Sequence, residues 1–294
     1  MRTLAVEFSQ HPFSARFFPC ARESISWKKE LELVAVSIAN EAGSRPITVC
    51  SSGGIDSELV CRILYDLGIH FSVLTLEHLA GTNARDISYA KAWCKAHGVE
   101  QRIVHLDMPD FFNNGIERYI REGYLAGNVF RYFQLFLLET VESMGGYAVL
   151  GGGEQQYHIP DSESSEEKDT YIEFESGFTA PLQWMQKNES SHCPYFFYGT
   201  PEATLAYLRI PIVNFAVRNP EMFRHKLNRH IFKRLVCHSV WPDLVSREKL
   251  NGYEEIRRLR LETQKELMRR FGEKLETFRL PVERMREQLT ANLR

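Results

Sequence analysis

Apolar and polar positions alternate along this chain with two clear periods. Trp27, Leu31, Val34, Ala35, Ile38 and Ala42 recur three or four apart, which predicts an amphipathic helix over 24–42 that Gly43 ends. Before it, residues 1–22 are rich in Phe and Pro (Phe8, Phe13, Phe17, Phe18, Pro12, Pro19) and read as a strand or extended arm packed on the core. Ile47-Thr48-Val49-Cys50, a β-branched run behind Pro46, reads as a short buried strand. Leu59, Val60, Ile63, Leu64 and Leu67 then return to helical spacing until Gly68.

The same alternation repeats downstream. Residues 71–76 form a second strand. A helix follows from Asn83, with Asp86 three residues on as in a capping box and Ile87, Ala90, Cys94 and His97 on its inner face. Gly98 ends that helix, and 101–106 form a third strand. Strands separated by helices predict right-handed crossovers and a parallel, doubly wound sheet. Residues 107–127 look irregular and aromatic, a roof over the sheet. A helix over 128–144 presents Phe130, Phe133, Leu137, Val141 and Met144 to the core, and Tyr147-Ala148-Val149-Leu150 is a further strand.

The second half is less regular. Residues 161–169 are acidic and serine-rich, a lid or a solvated loop. Residues 171–175 and 181–185 could pair as a hairpin across Ser176-Gly177. Pro201-Glu202 opens a helix, 221–238 is helical and basic, and 254–278 reads as one long charged helix suited to packing or dimerisation. The expected divisions are an N-terminal arm and covering helix (1–45), a nucleotide-binding α/β domain (46–160) and a mainly helical substrate or lid region (161–294).

Composition narrows the class. The 294 residues are 44% hydrophobic and 25% charged, enough for one α/β domain and an appendage. A net charge of −2 and a pI near 6.6, with no basic arm, weigh against a large nucleic-acid footprint, so a tRNA partner is not expected. The six cysteines form no Cys-x-x-Cys pair, so neither zinc nor an iron–sulfur cluster is signalled. No signal peptide and no apolar run of transmembrane length occur, which predicts a cytoplasmic protein with reduced thiols.

The chemistry concentrates in Ser51-Ser52-Gly53-Gly54-Ile55-Asp56-Ser57, between the first strand and its helix. The glycines permit positive φ and close approach of an anion. The helix start supplies free N–H groups and the positive end of the dipole. Ser52 and Ser57 add hydroxyls. Asp56 would repel phosphate unless a cation lay between them, which points to Mg²⁺ on a polyphosphate. A glycine turn with a serine cap and a solvated aspartate is the plainer alternative. Gly151-Gly152-Gly153-Glu154 follows the fourth strand, where ligands lie in doubly wound sheets.

Ser52-Gly53-Gly54-Ile55-Asp56-Ser57 resembles the signature loop of the PP-loop ATP pyrophosphatases, the adenine nucleotide alpha-hydrolase-like enzymes, which include asparagine synthetase, NAD synthetase and the tRNA thiolation enzymes. No Gly-Lys-Ser/Thr follows, so this is not a Walker loop. Residues 46–154 carry the resemblance, with Asn128-x-x-Arg131 through Gly151 as its second block. It implies ATP and Mg²⁺ as cofactors, adenylation of a substrate oxygen, release of pyrophosphate, and displacement of AMP by a nitrogen or sulfur nucleophile. Ser51, Ser52, Gly53, Gly54, Ile55 and Ser57 would line the phosphates, with Gly151 and Gly152 facing them. Asp56 and Glu154 would hold the metal, and Glu77 would lie near adenosine. Arg131 and a late lysine, for which Lys249 beside Arg247 is the candidate, would neutralise the leaving pyrophosphate.

Sulfur insertion into a small carbonyl compound, nucleobase or nucleotide is the preferred expectation. Amidation by ammonia and non-catalytic nucleotide binding are its alternatives. Met1-Arg2-Thr3 offers no N-terminal glutaminase cysteine, so nitrogen would come from solution or a partner, and sulfur from a persulfide or a carrier protein. Cys193, behind Ser191-His192 in an apparent loop, is the candidate sulfur-relay thiol, with a half-buried structural cysteine as the alternative. A homodimer is compatible with the long charged helix.

Overall fold

The computed structural model describes residues 4–7, 14–126, 128–151, 157–158, 171–175, 179–219, 229–244, 256–272 and 277–293. Its centre is a parallel sheet of β3 (Ile47–Cys50), β4 (Ser72–His78), β5 (Gln101–Leu106) and β6 (Tyr147–Leu150) in the order β5-β4-β3-β6. The N-terminal arm is an antiparallel pair, β1 (Leu4–Glu7) with β2 (Ser14–Phe17). After it, α1 (Trp27–Ala42) begins at Ser26, whose hydroxyl accepts the Lys29 N–H. Then α2 (Ile55–Asp66) links β3 to β4, and α3 (Ala84–His97) links β4 to β5.

Side-chain alternation along the strands divides the core. Ile47, Val49, Val73, Tyr147 and Val149 face one apolar cluster with α1, α2 and α3. Cys50, Leu74, Ala148 and Leu150 face the other, with the helices that follow β5. A period of two in a strand covered on both faces needs this segregation. From β3 the chain winds outward through β4 and β5. It returns on the other side of β3 as β6, whose Cα partners run from Ile47–Tyr147 to Cys50–Leu150. The switch point is therefore between β3 and β6, at their carboxyl ends.

Four expectations change. Residues 107–127 are largely helical: α4 (Met108–Asp110), a π-turn over Phe111–Gly115 and α5 (Ile116–Arg121). Asp107 caps this run by accepting the Asp110 N–H, and Phe111, Phe112, Ile116 and Tyr119 bury its inner side, so packing overrides the Asn113-Asn114-Gly115 break signal. In α6 (Phe130–Ser143) the buried stripe is Tyr132, Phe133, Leu135, Leu138 and Val141, while Met144 is exposed, so the core face lies to one side of the expected one. β8 (Tyr171–Glu175) pairs not with 181–185 but with β7 (Tyr157–His158) and with β9 (Thr277–Pro281), and α7 (Ala180–Lys187) is helical with Pro181 in its first turn. Finally, Ala148 O accepts the Cys193 N–H at 2.9 Å and Cys193 O accepts the Leu150 N–H at 2.9 Å, so the Cys193 segment extends the sheet beside β6 instead of looping away.

The remaining described helices are α8 (Pro201–Leu208), α9 (Pro211–Arg218), α10 (Arg229–Val240), α11 (Arg257–Phe271) and α12 (Val282–Thr290). The long charged helix is thus shorter than expected: Thr277 and Phe278, at the end of its expected span, belong to β9, and α12 follows in sequence that carried no clear signal. Among the described residues no helix is long and apolar enough to cross a membrane.

Candidate active site

The signature loop turns from β3 into α2 at the switch point. Its entry is fixed by Ser51, whose N–H donates to Leu74 O at 2.9 Å, extending the β3–β4 ladder. Gly53 then adopts φ +76. A Cβ built there would meet Asp86 O at 1.8 Å, so glycine is demanded both by the backbone and by the first turn of α3 lying against the loop. Gly54 caps α2 with no side-chain hydrogen bond, which leaves first-turn N–H groups for an anion. Gly151, at the end of β6, is the opposing wall: a Cβ there would stand 3.0 Å from Ser57 N.

The loop serines differ in task. Ser51 Oγ donates to Ser57 Oγ at 3.2 Å and accepts the Gly53 N–H at 3.3 Å, and Ser57 Oγ donates to Gly54 O at 3.0 Å. Both are buried, and these bonds brace the loop from within. Ser52 is exposed at its mouth. Ile55 is the first residue of α2 and is partly covered.

Asp56 lies in the first turn of α2 with its side chain 23% exposed. Its Oδ2 is joined by Lys233 Nζ, from the second turn of α10, also 23% exposed. Further along α2, Arg62 bonds Asp243, just beyond α10, at 2.6 Å. Two side-chain pairs thus tie α2 to α10 and the turn after it, and α10 delivers an ammonium to the mouth of the loop. The sequence showed only a basic helix here, with no motif to mark Lys233. Lys249, Gly152 and Glu154 lie outside the described residues.

Asp56 is a hard oxygen donor already facing a cation at the loop mouth. That donor suits Mg²⁺, which binds through one or two carboxylates together with substrate phosphates and needs no all-protein cage. Among the described residues no cluster of three or more His, Cys, Asp or Glu could hold a metal. Mg²⁺ there would screen phosphate charge, with Asp56 as its protein anchor.

Other candidates are placed as follows. Arg131 is in the first turn of α6, whose start lies at the carboxyl edge of the sheet; its Nη1 donates to Gln134 Oε1 at 3.2 Å. Glu77, near the end of β4, turns its carboxylate toward Lys91 at 3.6 Å and His105 at 3.9 Å. Asn83 stands at the N-cap of α3 as expected, but its side chain makes no capping bond: its Oδ1 accepts the His78 N–H at 2.9 Å and its Nδ2 donates to Leu76 O at 3.0 Å, which ties the end of β4 to the helix start. That end of β4 is thereby held rigid beside the loop.

Cys193 is 5% exposed, and burial pushes its thiol up to about 12. A relay thiolate needs the opposite surroundings. His192 does not activate it. The His192 Nδ1 accepts the Ala148 N–H at 3.0 Å, and its Nε2 stands 2.9 Å from Glu142, at a geometry that completes no hydrogen bond. All six cysteines are buried, and none is in a disulfide. Burial also raises Cys20 and Cys50 to about 12 and Cys94 to about 11.

The chain is a doubly wound α/β protein, and the loop at its switch point resembles the signature of the PP-loop ATP pyrophosphatases. No protein-family model and no curated protein sequence matches the chain. Among solved structures it is similar to an NMN synthetase from Francisella tularensis (10% identity, TM-score 0.36, covering 84% of this chain and 94% of that one). It is similar also to an NH3-dependent NAD synthetase from Campylobacter jejuni (13%, 0.34, 76% and 99%) and to the U34-tRNA thiolase NcsA of Methanococcus maripaludis (13%, 0.29, 74% and 87%). Likeness at this level identifies neither substrate nor reaction.

Proposed function

We propose that this chain is an ATP pyrophosphatase-type enzyme. It would adenylate a carbonyl or carboxylate oxygen of a small substrate, release pyrophosphate, and then exchange AMP for a nitrogen or sulfur nucleophile. The observation that carries the reading is the complete six-residue signature standing at the switch point, with Gly53 at φ +76 and Asp56 facing a cation. In it, the first-turn N–H groups of α2 and the Ser52 hydroxyl cradle the departing pyrophosphate, Asp56 anchors Mg²⁺, and Lys233 spreads positive charge over the phosphates. Lys233 joins Lys249, which lies outside the described residues, as a candidate cation for the phosphates.

The nucleophile comes from outside the chain. Burial of every cysteine supports ammonia or sulfide, from solution or a partner protein, over a relay through Cys193. A single product can be nitrogen- or sulfur-substituted, and mass spectrometry of it separates the two branches.

The test is incubation with α-labelled ATP, Mg²⁺ and a panel of nucleobases, nucleotides and small carboxylates, with ammonium or sulfide present. The expected result is AMP and pyrophosphate in equal amounts with one acceptor class only. Release of ADP and orthophosphate contradicts the reading.

A further inference from the structure

Asp56 and Lys233 meet where the metal and the nucleotide phosphates are placed in the reading above, on which this inference rests. Asp56 leaves the start of α2, and Lys233 reaches it from α10. We propose that Lys233 is a placeholder cation. It neutralises Asp56 until a metal–nucleotide arrives, then transfers to the phosphates as the metal takes Asp56, so that metal binding at Asp56 is conditional on nucleotide.

The charge balance favours this exchange. The carboxylate and ammonium are both about three-quarters covered, at 23% side-chain exposure each, and together sum to zero charge. A strongly hydrated divalent ion entering beside that ammonium would meet repulsion at the Asp56 carboxylate. A polyphosphate changes the balance, because it supplies oxygens for both cations at once. The move needs no helix displacement. The lysine stem has four rotatable carbons, whereas α10 is held by buried Val236, Cys237 and Trp241 and by the Arg62–Asp243 pair. Metal-free nucleotide, by contrast, must draw Lys233 away from Asp56 and bring phosphate beside that carboxylate.

The exchange predicts a specific coupling. Equilibrium dialysis of a non-hydrolysable ATP analogue in EDTA should show Asp56→Asn binding about tenfold more tightly than wild type, because Lys233 is released and repulsion removed. In a Lys233→Gln background the Asp56→Asn gain should shrink to about twofold or less, the part due to repulsion alone. With Mg²⁺ the order reverses, and Asp56→Asn should bind more weakly than wild type. Far-ultraviolet circular dichroism on all four proteins checks that they fold. An Asp56→Asn gain equal in the two backgrounds, or absent in the Lys233-containing one, overturns the placeholder. Failure of wild type to bind the analogue even with Mg²⁺ overturns the nucleotide reading itself, a separate and recognisable result.

Discussion

At the scale of single residues, Gly53 does what no other side chain can. Gly53 combines a left-handed backbone with contact against the Asp86 carbonyl, so Gly53→Ala meets both φ strain and a clash at 1.8 Å. We expect a loss of about 2–4 kcal/mol, read as a lower urea midpoint, unless α3 shifts, in which case affinity for ATP falls instead. Gly43, also at positive φ, has open space around a built Cβ, and Gly43→Ala should lose only about 1 kcal/mol. The six-residue signature was legible in the sequence because backbone need and charge logic both leave a local mark. Lys233 was not. Its place comes from a side-chain contact between α10 and α2, between residues 177 positions apart.

The elements show the same division. β3, α2, β4, α3, β5 and β6 carried clear periods of 2 or 3.6 and were legible, as was their parallel arrangement. The helices over 108–121 and the strand β9 were not, because their apolar residues satisfy partners remote in sequence. The edge segment ending at Cys193 belongs with them. Its docking depends on neutral His192, since Nδ1 can accept the Ala148 N–H only while it carries no proton.

His192 stands among Glu142 from α6, Glu41 from α1, and Arg45, Tyr147 and the Trp184 ring. Burial is the largest influence on it and lowers its pKa below the ordinary histidine value near 6.5. The unfolded chain therefore binds the proton first, and stability falls as pH drops below about 6.5, by up to about 1.4 kcal/mol per pH unit for this one group. His192→Gln keeps an acceptor and does not titrate. Urea midpoints from pH 7.5 to 5 should fall less steeply in the variant; equal slopes would show that His192 is not the group responsible.

At the scale of the molecule, two apolar clusters cover the sheet and the cysteines lie inside them or beside them. Six buried thiols predict that native protein reacts with a disulfide reagent such as dithionitrobenzoate far more slowly than unfolded protein, which should release six equivalents. Rapid reaction of Cys193 in the folded protein, located by peptide mapping, would restore the relay that its burial disfavours.

The central claim is that the loop after β3 holds pyrophosphate at the mouth marked by Asp56 and Lys233. Calorimetric titration with pyrophosphate and Mg²⁺ tests it without knowledge of the acceptor. We expect one site per chain, competition with ATP, and loss of at least about tenfold in affinity in Lys233→Gln as one charge-assisted contact disappears. Pyrophosphate binding that leaves ATP affinity untouched, or that is indifferent to Lys233, would contradict it.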